Sequence, residues 1–284
     1  MIAKEWRDAR WKFAVATILV LLLSTYLTPY PEIVAMAEET RNSIAQEMER
    51  RDASQRREPP LPPPAAYDAE QLALNELWGF YNMGGLLTLG PLALVLGATL
   101  VAGETGSGTL LLLLSRPSSR ARVLLTKYAV CAGVLLVSAV LGGILLLTVA
   151  ALRGYPLENV SFAGILLLGL MMWLVSLYVL GVALLMSVIF RGILLSLVST
   201  ALVLFLFFTL PENVLTVTSF FGPYLISGDQ EWFGFLWRLA PARHLIAFGV
   251  FERESLGATK FLYWMVASTV PLLASILIFR RRSY

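Results

Sequence analysis

The sequence has very few of the side chains that most often perform catalysis or bind metals. It contains one cysteine, Cys131, and one histidine, His244, in 284 residues. A lone cysteine cannot form an intrachain disulfide, and a lone histidine cannot complete a histidine-based zinc site or a cysteine–histidine catalytic pair. Cys131 lies inside an apolar run, where we expect a small packed side chain. The sequence therefore argues against redox chemistry and against a metal centre in this chain.

Charged residues are also scarce. Asp, Glu, Lys and Arg make up 14% of the chain and hydrophobic residues 57%, with a mean hydropathy of +0.73. Soluble domains carry about 25% charged residues. The net charge is only +3, and the basic residues lie near apolar segments instead of gathering on one face, so nucleic acid is not an expected partner. The composition indicates a membrane protein that is surrounded by the lipid bilayer.

Six apolar segments have the length that a membrane crossing requires. A bilayer core of about 30 Å needs roughly 20 apolar residues of helix. We therefore expect an all-α membrane protein with six transmembrane helices in a single transmembrane domain over residues 1–284. The predicted spans cover approximately residues 13–28, 77–102, 123–152, 162–190, 193–210 and 261–279. The first and fifth are near the short limit, and the fourth is long enough to tilt.

The distribution of Lys and Arg predicts the orientation of these spans. Twelve of the 22 basic residues fall in short tails and connectors on the side that holds the N-terminus, where they are denser than on the other side. This pattern favours cytoplasmic termini. The loop 29–76 carries ten acidic residues against five arginines, which suits the outer side. We expect a multi-pass protein of the plasma or inner membrane with both termini in the cytoplasm.

Two segments have the pattern of helices that lie at the membrane surface. Near the N-terminus, apolar residues recur at helical spacing between charged ones, which indicates an interfacial helix or an extension of the first span. The loop 211–260 is rich in aromatic residues, which prefer the headgroup layer, and predicts short extracytoplasmic helices before the last span. The apolar N-terminal positions are Ile2, Trp6, Ala9 and Phe13.

The outer loop 29–76 contains a further helical pattern. Ile33, Ala37, Ile44 and Met48 keep one face across an otherwise charged stretch. The proline run at 59–64 must end any helix here, because it favours an extended, semi-rigid chain. We expect a helix in the first half of the loop and an extended return to the membrane.

The stretch GETGSGTLLLLLSRP, residues 103–117, connects the second and third spans. Its glycines at 103 and 108 have the spacing of a phosphate-binding loop, but Thr109 and Leu110 stand where that loop needs Lys and then Ser or Thr. A membrane helix, not a buried strand, precedes it. We expect instead a flexible segment over 103–108, a short helix that ends before Pro117, and a new helix capped by Ser118 or Ser119.

This connector resembles a motif of the type-2 ABC transporter permeases, in which a glutamate ends the second span and is followed by G-T-L-x-x-L-L-S-x-P-x-S-R and a later lysine. The chain is also similar to that family at Lys4–Arg7 and at Ala240–His244, so the resemblance covers nearly its whole length. The residues that match the central motif are Glu104, Gly108, Thr109, Leu110, Leu113, Leu114, Ser115, Pro117, Ser119, Arg120 and Lys127.

The resemblance implies a cytoplasmic coupling helix over 103–120 that docks on a separate ABC ATPase subunit, with Glu104 anchoring its start. It implies an ATP-driven exporter with two ATPase copies and a second permease copy or paralogue. ATP and Mg²⁺ would bind to the ATPase, and no cofactor is expected in this chain. Which face of the leucine-rich helix meets the ATPase stays open. The implied coupling residues are Glu104, Thr105, Gly106, Ser107, Gly108, Thr109, Leu110, Leu113, Leu114, Ser115, Arg116 and Pro117.

Two other function classes compete with this interpretation. An intramembrane enzyme needs a nucleophile with a base, or paired acids, at membrane depth. Four serines lie in the spans without an acid or base beside them, and we expect them to serve helix packing. An ATP-independent secondary transporter or channel usually has ionisable residues within its spans or paired broken helices. Here Gly84-Gly85 and Gly90-Pro91 could break the second span, but no other span has a corresponding break, so we expect a kink. The four serines are Ser176, Ser187, Ser196 and Ser199.

The identity of the substrate is not encoded in any motif. The apolar lining of the spans suits a hydrophobic or amphipathic molecule, and nothing in the sequence selects among drugs, lipids, peptides and polysaccharides.

Overall fold

The computed structural model describes residues 10–11, 14–15, 18, 27–54, 69–106, 119–157, 162–190, 192–206 and 258–281. The regular structure within these ranges is helical throughout, without a β-strand. The six helices with defined bounds are α1 (Tyr30–Ser54), α2 (Ala69–Gly106), α3 (Arg120–Leu152), α4 (Phe162–Ile189), α5 (Ile193–Leu206) and α6 (Ala258–Arg281).

Four of these helices contain segments that are long and apolar enough to cross a membrane, and they correspond to four of the six predicted spans. Helix α5 is apolar but shorter than a span as far as it is described. Most of the first predicted span and of the loop 211–260 lies outside the described residues. The all-α membrane fold is thus confirmed, and the six-span topology stays a prediction. The four segments are Thr88–Gly106, Arg120–Leu152, Leu166–Ile189 and Thr259–Arg281.

Helix α2 differs from its predicted span at both ends. It begins at Ala69 and ends at Gly106, whereas the apolar run suggested 77–102. An apolar run reports only which part of a helix prefers lipid, and the polar residues that flank it are still compatible with helix. The flexible segment expected from Gly103 is therefore wrong for residues 103–106, which form the last turn of α2. Pro91 lies inside the helix without ending it.

Helix α4 lies at the centre of the fold. Buried residues make up 78% of its span, the largest share among the four candidate spans, and the helix packs against α2, α3 and α6. Large side chains on several of its faces are fully enclosed, including Leu168, Met171, Leu180 and Leu184. A helix that is apolar on all sides is typical of such an interior position.

Two glycines allow neighbouring helices to approach α4 closely. A Cβ atom on Gly97 of α2 would lie 2.5 Å from the Cβ of Ala183 and 2.8 Å from the carbonyl oxygen of Leu180. A Cβ atom on Gly181 of α4 would lie 3.0 Å from Cγ of Pro271 in α6. Small residues at such crossings permit the backbone contacts that hold membrane helices together.

The end of the bundle opposite the 107–118 connector is held by a hydrogen-bonded cluster. The Tyr155 hydroxyl donates to the Thr28 carbonyl at 3.0 Å and to Oε2 of Glu76 at 3.1 Å, while the Thr28 amide donates to Oε1 of Glu76 at 2.9 Å. Burial, and then the Glu76 carboxylate, raise the pKa of the Tyr155 hydroxyl above its ordinary value. Tyr155 therefore remains a protonated donor at neutral pH, and we call Thr28, Glu76 and Tyr155 the loop-end cluster.

Helix α1 follows directly from the loop-end cluster. The Tyr30 amide donates to the Arg153 carbonyl at 3.0 Å, where the turn after α3 contains Gly154 at φ +80°. On the predicted helical face, Ile33 and Ala37 are buried and Ile44 is half-buried. The expected helix in the first half of the loop 29–76 is confirmed.

Candidate functional site

The connector, residues 107–118, joins the C-terminal end of α2 to the N-terminal end of α3. We call these two helix ends the roots of the connector. Helix α2 ends at Gly106, and α3 starts at Arg120 with Ser119 as its N-cap. The Ser119 hydroxyl accepts from the Arg122 amide at 3.3 Å, which confirms one of the two predicted caps. Nine of the twelve predicted coupling residues lie outside the described residues, so their docking role stays a prediction. They are Ser107, Gly108, Thr109, Leu110, Leu113, Leu114, Ser115, Arg116 and Pro117.

Glu104 and Lys127 form an ion pair that joins the two roots. Lys127 Nζ lies 2.5 Å from Glu104 Oε1, across 23 residues of sequence. The Lys127 side chain is 3% exposed and that of Glu104 is 16% exposed, so the ammonium group is almost completely enclosed. Charges are rarely buried in this way unless they are paired. The pair connects the last turn of α2 to the second turn of α3.

The position of Glu104 is unfavourable for its own helix, which makes the pairing more informative. A negative charge in the last turn of a helix opposes the macrodipole, and α2 has no basic residue in that turn. The compensation comes from another helix, through Lys127. We infer that Glu104 is placed for the contact with α3 and not for the stability of α2 alone.

Helix α4 contacts the same end of α2 through Ser187. The Ser187 hydroxyl donates to the Ala98 carbonyl at 2.8 Å and accepts from the amides of Val101 at 3.1 Å and Ala102 at 2.8 Å. Ser187 is 1% exposed. The connector end of α2 is therefore bound on one side to α3, through Glu104, and on the other to α4.

Helix α3 is in turn hydrogen-bonded to α4 in its first half. The indole Nε1 of Trp173 donates to the Ala132 carbonyl at 2.8 Å, and the Tyr128 hydroxyl is 3.4 Å from the Leu177 carbonyl. Tyr128 follows Lys127 directly, so the residue beside the ion pair is itself anchored on α4. The connector ends of α2 and α3 are thus joined to each other by an ion pair and to helix α4 by hydrogen bonds.

The three described members of the predicted coupling set have different roles. Glu104 pairs with Lys127, the Thr105 hydroxyl donates to the Val101 carbonyl at 2.8 Å, and Gly106 is exposed at the end of α2. Lys127 belonged to the resemblance but not to the predicted coupling set. Ser187 was expected to serve packing only, and no local signal pairs it with a helix more than 80 residues earlier.

Two of the four serines in the spans bond within their own helices, as expected for packing residues. The Ser176 hydroxyl donates to the Met172 carbonyl at 2.7 Å and the Ser199 hydroxyl to the Ser196 carbonyl at 3.1 Å. Across the described ranges, no cluster of three His, Cys, Asp or Glu residues has the geometry to hold a metal.

An apolar cavity of about 370 Å³ lies between α2, α4 and α5. Its one hydroxyl, that of Ser176, is already bonded to the backbone of α4. The cavity therefore offers space for apolar groups and few hydrogen-bonding partners. It is lined by Gly90, Pro91, Leu94, Val95, Met172, Val175, Ser176, Val179, Ala201 and Leu204.

Comparison with known proteins identifies the family of the chain. A search of curated proteins found no match to the chain. The family model described as ABC-2 family transporter protein matches residues 1–284, which is the whole chain. Members of this family are transmembrane, non-catalytic subunits of ABC transporters. The chain thus belongs to the ABC-2 transporter family and is a multi-pass membrane permease of an ABC transporter.

Proposed function

We propose that this chain couples ATP hydrolysis by a separate ATPase subunit to the export of a hydrophobic or amphipathic substrate. The observation that carries the proposal is the enclosed Glu104–Lys127 pair, which joins the two roots of the connector. Because the roots are bound to each other, a force on residues 107–118 moves the ends of α2 and α3 together. Displacement of the connector is then transmitted to the bundle through both helices at once.

The assembly that this mechanism needs contains more than one chain. Two ATPase copies would bind ATP with Mg²⁺ and close on the connectors of two permeases, either two copies of this chain or this chain and a paralogue. Closure shifts the permeases between two conformations only as far as the ATPase binds one of them better. We place the connector and both termini in the cytoplasm of the plasma or inner membrane, supported by the density of Lys and Arg on that side.

The nature of the substrate is inferred from the cavity between α2, α4 and α5. A cavity of about 370 Å³ with an almost wholly apolar lining favours alkyl or aromatic groups over sugars or ions. Binding of polar groups there would leave their hydrogen bonds unmade, at a cost of several kcal/mol each. This supports an amphipathic substrate whose apolar part enters the cavity.

Purification from native membranes tests the proposal. Affinity-tagged permease should retain an ABC ATPase, and deletion of the eight residues 108–115 should abolish that retention. An eight-residue deletion at 57–64, in the predicted outer loop, is the matched control and should leave retention intact. Absence of an ATPase from the full-length preparation, or equal retention by both deletion variants, would contradict the proposal.

A further inference from the structure

The backbone of α2 is hydrogen-bonded in an unusual way just before Glu104. In a regular α-helix, the amides of Val101 and Ala102 donate to carbonyls four residues earlier in the same helix. Here both amides donate to the hydroxyl of Ser187 in α4, and this hydroxyl donates to the carbonyl of Ala98. One side chain from another helix thus bonds to three backbone groups within about one turn of α2. Insertion of a side chain at such a point is a recognised cause of helix bending.

Two threonine hydroxyls also bond to the backbone of this stretch of α2. The Thr99 hydroxyl lies 2.8 Å from the Val95 carbonyl and 3.1 Å from that of Leu96, and the Thr105 hydroxyl donates to Val101. Hydroxyls bonded back to helical carbonyls compete with the backbone and often bend a helix. Three hydroxyls, including that of Ser187, thus bond to backbone groups of α2 between residues 95 and 105.

Ser187 also lies at the right place to relay movement. Ala102 is two residues before Glu104, so the inserted hydroxyl acts within one turn of the ion pair. Gly97 meets α4 on the other side of the insertion, where there is no room for a Cβ atom. A displacement of the connector end must therefore act on the Ser187 contact before it reaches the rest of α2.

We propose that Ser187 is a positioning residue for coupling, which sets the point at which the connector end of α2 pivots and transmits its displacement to α4. This inference rests on the proposed function, since it requires an ATPase that moves the connector. Ser187 contacts neither nucleotide nor connector in this proposal. It acts through the backbone of Val101 and Ala102.

The matched control for Ser187 is Ser275 in α6, which is similarly buried, at 0% against 1% exposure. Its hydroxyl donates within α6 to the Leu272 carbonyl, so S275A removes a hydroxyl that does not bond to α2. S187T keeps a hydroxyl at position 187, whereas S187A removes it. All variants would be prepared as the permease–ATPase complex in lipid nanodiscs.

Amide hydrogen exchange with and without ADP-vanadate provides the readout. We expect peptides covering 97–106 to exchange roughly tenfold faster in S187A than in wild type, because two buried amides lose a hydrogen-bond acceptor. In the wild type, vanadate trapping should change exchange in 97–106 and in 183–189 together. S187A should lose the change in 183–189, while S275A and S187T should keep it.

The outcomes separate this inference from the proposed function. A complex that retains its ATPase but shows the same exchange in S187A and S275A overturns the role of Ser187 alone. If S187A does not assemble, the wild-type measurement decides, because trapping that changes 97–106 without 183–189 also overturns that role. A wild-type permease that retains no ATPase overturns the proposed function and this inference with it.

Discussion

Lys127 is more deeply buried than Glu104, so removing one partner of the pair should not cost the same as removing the other. Removing the carboxylate leaves an ammonium group that is 3% exposed without this partner, whereas removing the ammonium leaves a carboxylate that is 16% exposed. Breaking a buried pair from one side typically costs about 3–5 kcal/mol, because the remaining charge stays desolvated. The loss of Glu104 should therefore be the more damaging of the two.

Exchanging the two charges tests whether their contact matters more than their identities. We expect E104K to lower the free energy of unfolding by about 3 kcal/mol or more, because two ammonium groups would face each other. K127E should lower it as well, by placing two carboxylates together. The double variant E104K/K127E should recover most of the loss, and lysine in the last turn of α2 also suits the helix dipole. Thermal unfolding in nanodiscs measures this; additive losses in the double variant would contradict it.

The hydroxyl of Tyr155 should make stability depend on pH in the alkaline range. Its pKa in the folded protein is raised by burial and by Glu76, so the folded state holds this proton more tightly than the unfolded state does. The stabilisation is complete below the ordinary tyrosine pKa of about 10 and declines as the pH rises from there toward the folded value. We expect Y155F to cost about 1–2 kcal/mol at pH 8.

Comparing Y155F with the wild type isolates this group, because the other tyrosines titrate in both proteins. The difference in unfolding free energy should shrink between pH 8 and pH 11. A difference that stays constant over this range would show that the proton on Tyr155 does not contribute in the way described.

At the scale of the helices, the crossing of α2 and α4 depends on a single missing side chain. We expect G97A to lower the free energy of unfolding by about 1–3 kcal/mol, since its Cβ atom would overlap Ala183 and the backbone at Leu180. Gly79 lies in the same helix, and a methyl group added there would have nothing within 4 Å. G79A should therefore be neutral or stabilise α2 by about 0.5–1 kcal/mol.

The pair G97A/A183G sharpens this test. Removing the Ala183 methyl group relieves one of the two overlaps and should restore part of the lost stability, while the contact with the Leu180 carbonyl remains. Chemical unfolding of the reconstituted variants gives the comparison. Equal stabilities of G97A and G79A would mean that the helices can separate at no cost.

At the scale of the whole molecule, the proposed topology places α1 and the end of α6 on opposite sides of the membrane. Ser43 in α1 and Arg281 at the end of α6 are both exposed. In a C131S background, S43C should react with a membrane-impermeant maleimide on intact cells, and R281C should react only after permeabilisation. Labelling of both positions on intact cells would contradict the proposed orientation.

The sequence predicts some residues of the site and misses the contacts of others. Glu104 was identified because it ends an apolar run and matches a motif, both of which are local signals. Lys127 was part of the same motif, but its contact with Glu104 depends on how α2 and α3 pack. Ser187 was interpreted as a packing residue, because a serine within a span looks the same whether its hydroxyl bonds to its own helix, as in Ser176, or to another.

The amino-acid sequence by itself determined that this protein lies in a lipid bilayer, that it is helical, and where the four spans that the structure bears out are located. These follow from the transfer of apolar side chains into lipid and from the need to satisfy the backbone within each span, which are properties of contiguous residues. Only the tertiary structure decided that Glu104 pairs with Lys127, that Ser187 hydrogen-bonds to the backbone of α2, and that Gly97 packs against α4. These contacts join residues 23 to 89 positions apart, and their geometry depends on helix crossings that no local pattern specifies.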